Sequence, residues 1–213
     1  MCARFFFPDT DSLAWRETFL RLMQEIAPDA RIPDSLSAGE KGPGSTCLVL
    51  APGRASRRVR AFPMTWGLDT GKALVINARS ESAGTLPLFR ESLAHRRCLI
   101  PMMHYFEWNH AQKPHQKYAI RPKAGGMACL AGLYRLEGAS ARFTVLTRPA
   151  SDSVSALHDR MPVILPLACA GAWLDTAQTD AAGLMARLSL TDMCMTPVGG
   201  NVSLFDLPSA EEW

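Results

Sequence analysis

The strongest constraint on the fold is a series of short apolar segments that follow one another with few helices between them. Seven of them read as strands, at residues 46–50, 59–68, 73–77, 98–108, 117–121, 127–136 and 142–147. Most are separated by short turns, whereas parallel neighbours need a crossover of about a dozen residues or more. The pattern therefore favours antiparallel pairing and predicts an α+β fold with a β-rich, mostly antiparallel core.

Helical patterns are few and scattered. An amphipathic helix is predicted at residues 9–27, with Asp9, Thr10 and Asp11 as candidates for its N-terminal cap. Shorter helices are predicted at residues 88–97, 151–158, 167–174 and 180–188. Because the sequence contains no internal repeat and no linker-like stretch that divides it, we expect one domain over residues 1–213 with peripheral helices.

Composition and residue spacing exclude several classes of protein. Hydrophobic residues make up 47% of the chain and the net charge is only +3, so the chain is globular and its total charge does not indicate a nucleic-acid partner. The longest apolar stretch, residues 161–174, is too short to span a membrane, and the first residues do not resemble a signal peptide. We expect a cytoplasmic protein. The six cysteines and five histidines lack metal-ligand spacing, so we predict no metal and no cofactor.

Cys2 has the most unusual chemistry. Removal of Met1 would leave an α-amine and a thiol on one residue. Such a 1,2-aminothiol captures aldehydes, because the amine forms an imine and the thiol then closes a five-membered thiazolidine ring. The alternative is that Cys2 is an incidental N-terminal residue.

Two further positions carry titratable groups in apolar surroundings. Glu107 interrupts an apolar strand, where a carboxylate is costly to bury unless it is paired or protonated. The alternative is that Glu107 points to solvent beside inward-facing Phe106 and Trp108. His158 lies between a predicted helix end and a buried strand, where it either serves a site or caps helix carbonyls.

The motifs of the chain together resemble the SRAP family, the SOS response associated peptidases, which are also described as abasic-site processing proteins. The resemblance covers nearly the whole chain and rests on motifs that occur in the family's order. They are Met1-Cys2-Ala3-Arg4, Trp66-Gly67-Leu68, Asn77-Ala78-Arg79-Ser80-Glu81, Arg97-Cys98-Leu99-Ile100-Pro101, Tyr105-Phe106-Glu107-Trp108, Ala131-Gly132-Leu133-Tyr134, Phe143-Thr144-Val145-Leu146-Thr147 and His158-Asp159-Arg160-Met161-Pro162.

The resemblance implies a barrel-like core and a protein that binds single-stranded DNA and crosslinks Cys2 to an abasic site as a thiazolidine. This reaction would shield the lesion during the DNA damage response. Cys2 would be the nucleophile, Glu107 the proton-transfer group, His158 the helper in sugar ring opening and crosslink reversal, and Asn77 the residue that positions the N-terminus. The residues implied to contact DNA are Arg4, Trp66, Arg79 and Arg160. The resemblance also implies peptidase (hydrolase) activity, as autoproteolytic removal of Met1, and a lyase-type activity.

Basic residues cluster in three places that could contact phosphates, at residues 54–60, 90–97 and 113–123. Trp66, Tyr105 and Trp108 would stack on bases if they are exposed. The alternative for each basic cluster is a solvated surface. We expect a monomer that is nucleoid-associated when bound to DNA, with replication-fork proteins as candidate partners and no membrane partner.

Two other function classes use the same residues. An N-terminal-nucleophile cysteine hydrolase would turn over many substrates and stay unmodified, and a non-catalytic module for single-stranded DNA would tolerate the loss of Cys2. The chain departs from the family pattern at Ala3 and at Met102-Met103-His104. If a glycine is needed there for a positive φ or for close approach of the DNA backbone, these bulkier residues would reshape the groove. The alternative is that His104 adds a titrating group near the site.

Overall fold

The structure is a computed structural model that describes residues 2–7, 13–28, 38–53, 58–111, 113–138, 140–177, 179–188 and 192–199. Its strands are β1 (Phe5–Phe7), β2 (Gly39–Lys41), β3 (Thr46–Pro52), β4 (Val59–Trp66), β5 (Leu68–Asp69), β6 (Leu74–Val75), β7 (Asn77–Arg79), β8 (Arg97–Met102), β9 (His104–Asn109), β10 (Gln116–Pro122), β11 (Ala128–Glu137), β12 (Ser140–Pro149), β13 (Arg160–Pro162), β14 (Ile164–Leu165) and β15 (Met193–Val198). The helices are α1 (Leu13–Ile26), α2 (Arg90–His95), α3 (Asp152–Ser155), α4 (Leu167–Leu174) and α5 (Ala181–Arg187).

Five strands close into a barrel. β12 pairs with β4, and the order continues through β3 and β8 to β11, which pairs back onto β12. All these pairs are antiparallel except β12 with β4, and β7 is added to β12 as a second parallel neighbour. The predicted fold class, α+β with a mostly antiparallel, barrel-like core and peripheral helices, is confirmed.

Gly132 on β11 shows how closely the barrel strands pack. A Cβ atom at this position would lie 2.5 Å from Cδ1 of Ile100 and 2.9 Å from Sγ of Cys98, both on the neighbouring β8. These distances are shorter than van der Waals contact, so a larger residue would push β8 and β11 apart.

The second sheet has the order β15-β10-β9-β1-β2 and places the N-terminus of the chain. β1 is paired on both edges, with Phe5 opposite Lys41 of β2 and opposite Tyr105 of β9. Sequence patterns did not predict β1, which is only three residues long. Its double pairing fixes the position of Cys2, three residues before Phe5.

The predicted strand at residues 98–108 is two strands that belong to different sheets. β8 lies in the barrel and β9 in the second sheet, and the chain bends between them at Met103. The backbone N–H of Met103 donates to the carbonyl of Phe6 at 3.0 Å, so the bend is fixed to β1. An unbroken apolar pattern cannot reveal such a bend, because both strands are buried.

The helices cover the sheets, and α2, α3 and α5 are shorter than the predicted helices at residues 88–97, 151–158 and 180–188. α1 begins at Leu13, and the cap candidates Asp9, Thr10 and Asp11 lie outside the described residues. Its buried side includes Phe19, Leu22 and Met23, whereas Leu20 is 44% exposed. α2 and α3 span only six and four residues.

Candidate functional site

Cys2 lies at the start of the described chain and its side chain has no exposed surface. Burial raises the pKa of its thiol well above the ordinary value, and the negative charge of Glu107 acts in the same direction. The Sγ atom lies 3.9 Å from the carbonyl oxygen of Arg4. Cys2 therefore carries a neutral thiol at neutral pH, and any reaction through its sulfur needs a group that accepts the thiol proton.

Asn77 holds the backbone of Cys2. The side-chain amide Nδ2 of Asn77 donates a hydrogen bond of 2.9 Å to the carbonyl oxygen of Cys2. Asn77 is the first residue of β7, which pairs with β12 with Asn77 opposite Val145. The structure thus brings together two of the predicted site residues that are 75 positions apart in the chain.

Glu107 lies inside the molecule, with 5% of its surface exposed. The alternative orientation, toward solvent, is therefore wrong, and Phe106 is buried as well. Side chains alternate along a strand, so Glu107 shares one face of β9 with Tyr105. The charge of Glu107 raises the pKa of the Cys2 thiol, so the two groups are close enough to interact.

Tyr105 is a polar residue of this site that the sequence did not reveal. Its side chain has no exposed surface, and within the described residues its hydroxyl has no hydrogen-bond partner. Burial raises the pKa of this phenol well above its usual value, and the nearby Cys2 and Glu107 raise it further. In sequence, a tyrosine among apolar residues resembles an ordinary packing residue, so only the structure links it to Cys2 and Glu107.

His158 follows α3 and is half-buried, with local contacts. Its Nδ1 accepts a 2.9 Å hydrogen bond from the backbone N–H of Arg160 and lies 2.6 Å from Oδ1 of Asp159. These contacts require different protonation states, because Nδ1 accepts in the first and must carry a proton in the second. Within the described part of the chain, no hydrogen bond joins His158 to Cys2, Asn77 or Glu107.

The C-terminal half of β12 brings several predicted site residues to one end of the barrel. Asn77 and Arg79 of β7 lie opposite Val145 and Thr147, and Arg160 of β13 lies opposite Pro149. The backbone N–H of Ala150 donates to the carbonyl of Asp159, which places the loop with His158 at the same end. β12 is thus the common support for two separate segments of the predicted site, residues 77–79 and residues 158–160.

Arg160 makes an ion pair with Glu81. Its Nη1 and Nη2 donate to the two carboxylate oxygens at 2.8 and 2.9 Å, and Nη2 also donates to the carbonyl of Thr147 at 2.8 Å. The hydrogen bonds from Arg160 lower the pKa of the Glu81 carboxyl. Only 12% of the Arg160 side chain is exposed. A phosphate would have to displace Glu81 to take the same two donors.

Arg4 lies on the surface near the site and belongs to a small charge network. Its Nη1 lies 3.3 Å from Glu40, whose other carboxylate oxygen accepts a hydrogen bond from Lys117. The Lys117 ammonium is also 3.9 Å from the ring centroid of Phe106 and 5.3 Å from that of Trp108. Arg4 and Arg79 are both exposed.

Trp66 contradicts the expectation that it lines a DNA groove. Its side chain has no exposed surface, and its indole N–H donates to the carbonyl of Ile76 at 3.0 Å. Its ring packs against Phe5 and stacks on Phe143 at a centroid distance of 6.1 Å. Trp66 is therefore a core residue that supports β1 and the segment before Asn77. Of the three aromatic residues suggested for base stacking, only Trp108 keeps exposed surface.

The segment Met102-Met103-His104 is buried, with no more than 8% of any side chain exposed. The expectation that these residues reshape an exposed groove is therefore wrong, because they pack inward. The His104 ring is stacked on Phe6 at a centroid distance of 5.1 Å and lies 4.8 Å from Phe106. It occupies the face of β9 opposite Glu107, so it is not a titrating group on the Cys2 side.

Two kinds of feature are absent from the described residues. No group of three or more His, Cys, Asp or Glu residues there has an arrangement that could hold a metal ion. In the same part of the chain, no helix is long and apolar enough to cross a membrane.

The sequence matches a known protein family and several named relatives. The family model described as SOS response associated peptidase (SRAP) matches residues 1–204. The abasic site processing protein YobE of Bacillus subtilis is 35% identical over 120 residues, which cover 54% of this chain and 55% of that protein. The match therefore spans about half the length of this relative. The abasic site processing protein YedK of Escherichia coli is 28% identical over 183 residues, covering 82% of this chain and 79% of that protein.

Solved structures show the same fold at low sequence identity. A phage-related protein from Bordetella bronchiseptica has a TM-score of 0.71 and 22% identity, covering 92% of this chain and 94% of that chain. A protein from Bacteroides thetaiotaomicron has a TM-score of 0.69 and 20% identity, covering 97% of both chains. These structural similarities extend over almost the whole chain, and they are similarities of fold only.

Proposed function

The chain belongs to the SOS response associated peptidase family, and from this premise we propose that it captures abasic sites in single-stranded DNA by forming a covalent bond to Cys2. The observation that carries the proposal is the surroundings of Cys2. Its carbonyl is held by Asn77, and its thiol lies buried within the electrostatic reach of Glu107. An incidental N-terminal cysteine needs neither a backbone anchor nor a neighbouring buried carboxylate.

The first step joins the Cys2 amine to the aldehyde carbon of the ring-opened sugar, after Met1 has been removed. The nitrogen lone pair attacks the carbonyl carbon to give a carbinolamine, which loses water to form an imine. A free α-amine has a pKa of about 7.8 and is mostly protonated at pH 7. Glu107 therefore serves as the group that takes the amine proton and returns it to the departing hydroxyl, which is general acid-base catalysis.

The second step closes the thiazolidine ring. The Cys2 sulfur bonds to the imine carbon, the S–H bond and the C=N π bond break, and the nitrogen gains the thiol proton. No oxidant or reductant is consumed. Because burial keeps the thiol neutral, this step depends on a route for the proton from sulfur, and Glu107 provides its acceptor.

His158 and Asn77 have separate roles in this proposal. Asn77 orients the N-terminal residue through its bond to the Cys2 carbonyl. His158 assists sugar ring opening and the reversal of the crosslink by exchanging a proton. With Nδ1 accepting from the N–H of Arg160, a neutral His158 carries its proton on Nε2, and protonation of the ring lets Nδ1 donate to Asp159 instead.

The DNA strand is proposed to lie across the surface beside Cys2. Arg4 and Arg79 are exposed, so phosphate contacts are available. Arg160 joins this surface only if a phosphate replaces Glu81 as its partner.

The test is the intact mass of the protein before and after incubation with a single-stranded oligonucleotide that carries one abasic site. We expect wild type to lose Met1 and to gain the mass of the oligonucleotide minus one water, in a form stable to denaturant. Cys2→Ala should gain nothing. Cys194→Ala is the matched control. Cys194 is also a free cysteine and lies half-buried on β15, so its replacement should leave the adduct unchanged.

Three outcomes would contradict the proposal. An adduct on Cys2→Ala would place the reaction elsewhere. Equal binding of intact and abasic strands without any adduct would favour a binding module. Multiple turnovers of an amide substrate by an unmodified protein would favour the cysteine hydrolase.

A further inference from the structure

The Tyr105 hydroxyl has no structural use within the described residues. The ring is fully buried, and the hydroxyl oxygen has no hydrogen-bond partner in that part of the chain. Burying a hydroxyl without a partner destabilises a folded protein relative to a phenylalanine of the same shape. Packing alone therefore accounts for the ring of Tyr105 but not for its oxygen.

Tyr105 lies on the same face of β9 as Glu107, and its strand pairs with β1, which follows Cys2. It lies two residues before Glu107 on β9, so the two side chains share one face of the strand. Its pairing partner is Phe5 of β1, three residues after Cys2. The thiol of Cys2 and the carboxyl of Glu107 both raise the pKa of the Tyr105 phenol, after burial itself. The hydroxyl is therefore neutral at working pH, when it can both accept and donate a proton.

We propose that the Tyr105 hydroxyl relays the proton between the Cys2 thiol and the Glu107 carboxylate during ring closure. This inference rests on the proposed function and adds a residue to the same site. As the C–S bond forms, the S–H proton passes to the phenol oxygen and the phenol proton passes to Glu107. Glu107 then delivers a proton to the ring nitrogen, so the tyrosine and the carboxylate end the step in their starting states.

The relay explains how a buried thiol reacts without becoming a stable thiolate. A lone thiolate in this site would be disfavoured by burial and by the negative charge of Glu107. Moving the proton in concert with C–S bond formation avoids that charged state. Imine formation does not involve the sulfur, so it does not need Tyr105.

The experiment compares Tyr105→Phe with wild type on an abasic oligonucleotide and separates the two steps. Borohydride reduces and traps the imine, whereas the closed thiazolidine survives borohydride and denaturant. We expect Tyr105→Phe to bind DNA and form the imine at the wild-type rate. Ring closure should slow by about 10²-fold, the lower end of general acid-base effects, so that trappable imine accumulates. Tyr134→Phe is the matched control, since Tyr134 is a half-buried tyrosine in the barrel strand β11, and should behave as wild type.

Two results separate failure of the relay from failure of the proposed function. If wild type forms the adduct and Tyr105→Phe closes the ring equally fast, the relay is overturned and the capture of abasic sites stands. If wild type forms no adduct, both are overturned.

A second measurement needs no variant and covers the case in which Tyr105→Phe fails to fold. The rate of ring closure in wild type is measured in mixtures of H2O and D2O. A relay moves two protons together and should give a curved dependence on the fraction of D2O. A linear dependence, which indicates one proton in motion, would overturn the relay.

Discussion

The two faces of β9 bury polar groups equally well but use them differently. On one face, Tyr105 and Glu107 lie near the Cys2 thiol. On the other, His104 is enclosed by the rings of Phe6 and Phe106, and within the described residues neither of its nitrogens has a hydrogen-bond partner. Burial lowers the pKa of His104 to about 4, and the positive charges of Lys117 and Arg121 contribute.

The difference shows that burial alone does not make a reactive site. His104 is held neutral by burial and by the positive charges of Lys117 and Arg121, which outweigh the opposite effect of Glu40. Tyr105 and Glu107 are equally buried, but their electrostatic effects reach the Cys2 thiol, which the proposed reaction uses. We therefore expect substitutions on the face with Tyr105 and Glu107 to change the rate of the reaction. Substitutions on the face with His104 should change the free energy of unfolding.

The largest effect is expected from Glu107→Gln. The amide keeps the shape of the side chain but cannot accept the amine proton, so imine formation should slow by about 10²–10⁴-fold. Affinity for single-stranded DNA should stay within about twofold, because the residue is buried. The rate comes from borohydride trapping, and the affinity from fluorescence anisotropy with an intact strand. A variant that forms the imine at the wild-type rate would assign Glu107 a structural role only.

The next effect concerns His104 and the pH dependence of stability. Above pH 6.5 the histidine is neutral in both the folded and unfolded states. As the pH falls from 6.5 toward 4, the unfolded state binds a proton that the folded state does not, so stability decreases. Between pH 8 and pH 5 this linkage amounts to about 2 kcal/mol, or roughly 30-fold in the unfolding equilibrium.

His104→Phe removes this titration while keeping a ring between Phe6 and Phe106. Urea unfolding at pH 8 and pH 5 should show that the variant loses about 2 kcal/mol less than wild type between the two values. Its crosslinking rate at pH 7 should match wild type. If both proteins lose the same stability, His104 is not the group that titrates. If crosslinking falls with stability intact, the two faces of β9 are not separate in function.

The smallest effect is expected from Asn77→Ala, which removes the hydrogen bond to the Cys2 carbonyl. One such bond contributes about 0.5–1.5 kcal/mol, so the rate of imine formation should fall by roughly 2- to 12-fold as the N-terminus becomes less well oriented. Asn109→Ala is the control, because Asn109 lies at the end of β9 and its side chain accepts a hydrogen bond of 3.0 Å from the nearby N–H of Ala111. Equal rates in the two variants would contradict a positioning role for Asn77.

Local pattern predicted most strands and the fold class but not the way the strands join. The strand at residues 142–147 and its neighbours were predicted because alternating or continuous apolar segments are local signals. The parallel contact of β12 with β4 and the closure of β11 onto β12 were not predicted. They depend on contacts between distant segments, and periodicity carries no information about these. β1 was missed because three phenylalanines form too short a pattern.

The candidate site was accessible from sequence only in part. Cys2 and Glu107 drew attention through their own chemistry, and their assignment to one site came from the resemblance of ordered motifs. Exposure was not predictable: Trp66 and Tyr105 both lie in aromatic motifs, and both are fully buried. The indole of Trp66 finds a carbonyl partner in the core, whereas the hydroxyl of Tyr105 finds none in the described part of the chain. That contrast is visible only in three dimensions.

The burial of Cys2 between β1 and distant strands also sets an order of events during synthesis. The N-terminus leaves the ribosome first, but β1 gains its partner β9 only after about a hundred more residues have been made. Throughout that interval Glu107 has not been made or is not yet in place beside Cys2. Under the proposed function, the N-terminal residue is therefore the first part of the reactive site to be synthesised, and it gains its reactivity only when the middle of the chain has folded onto it.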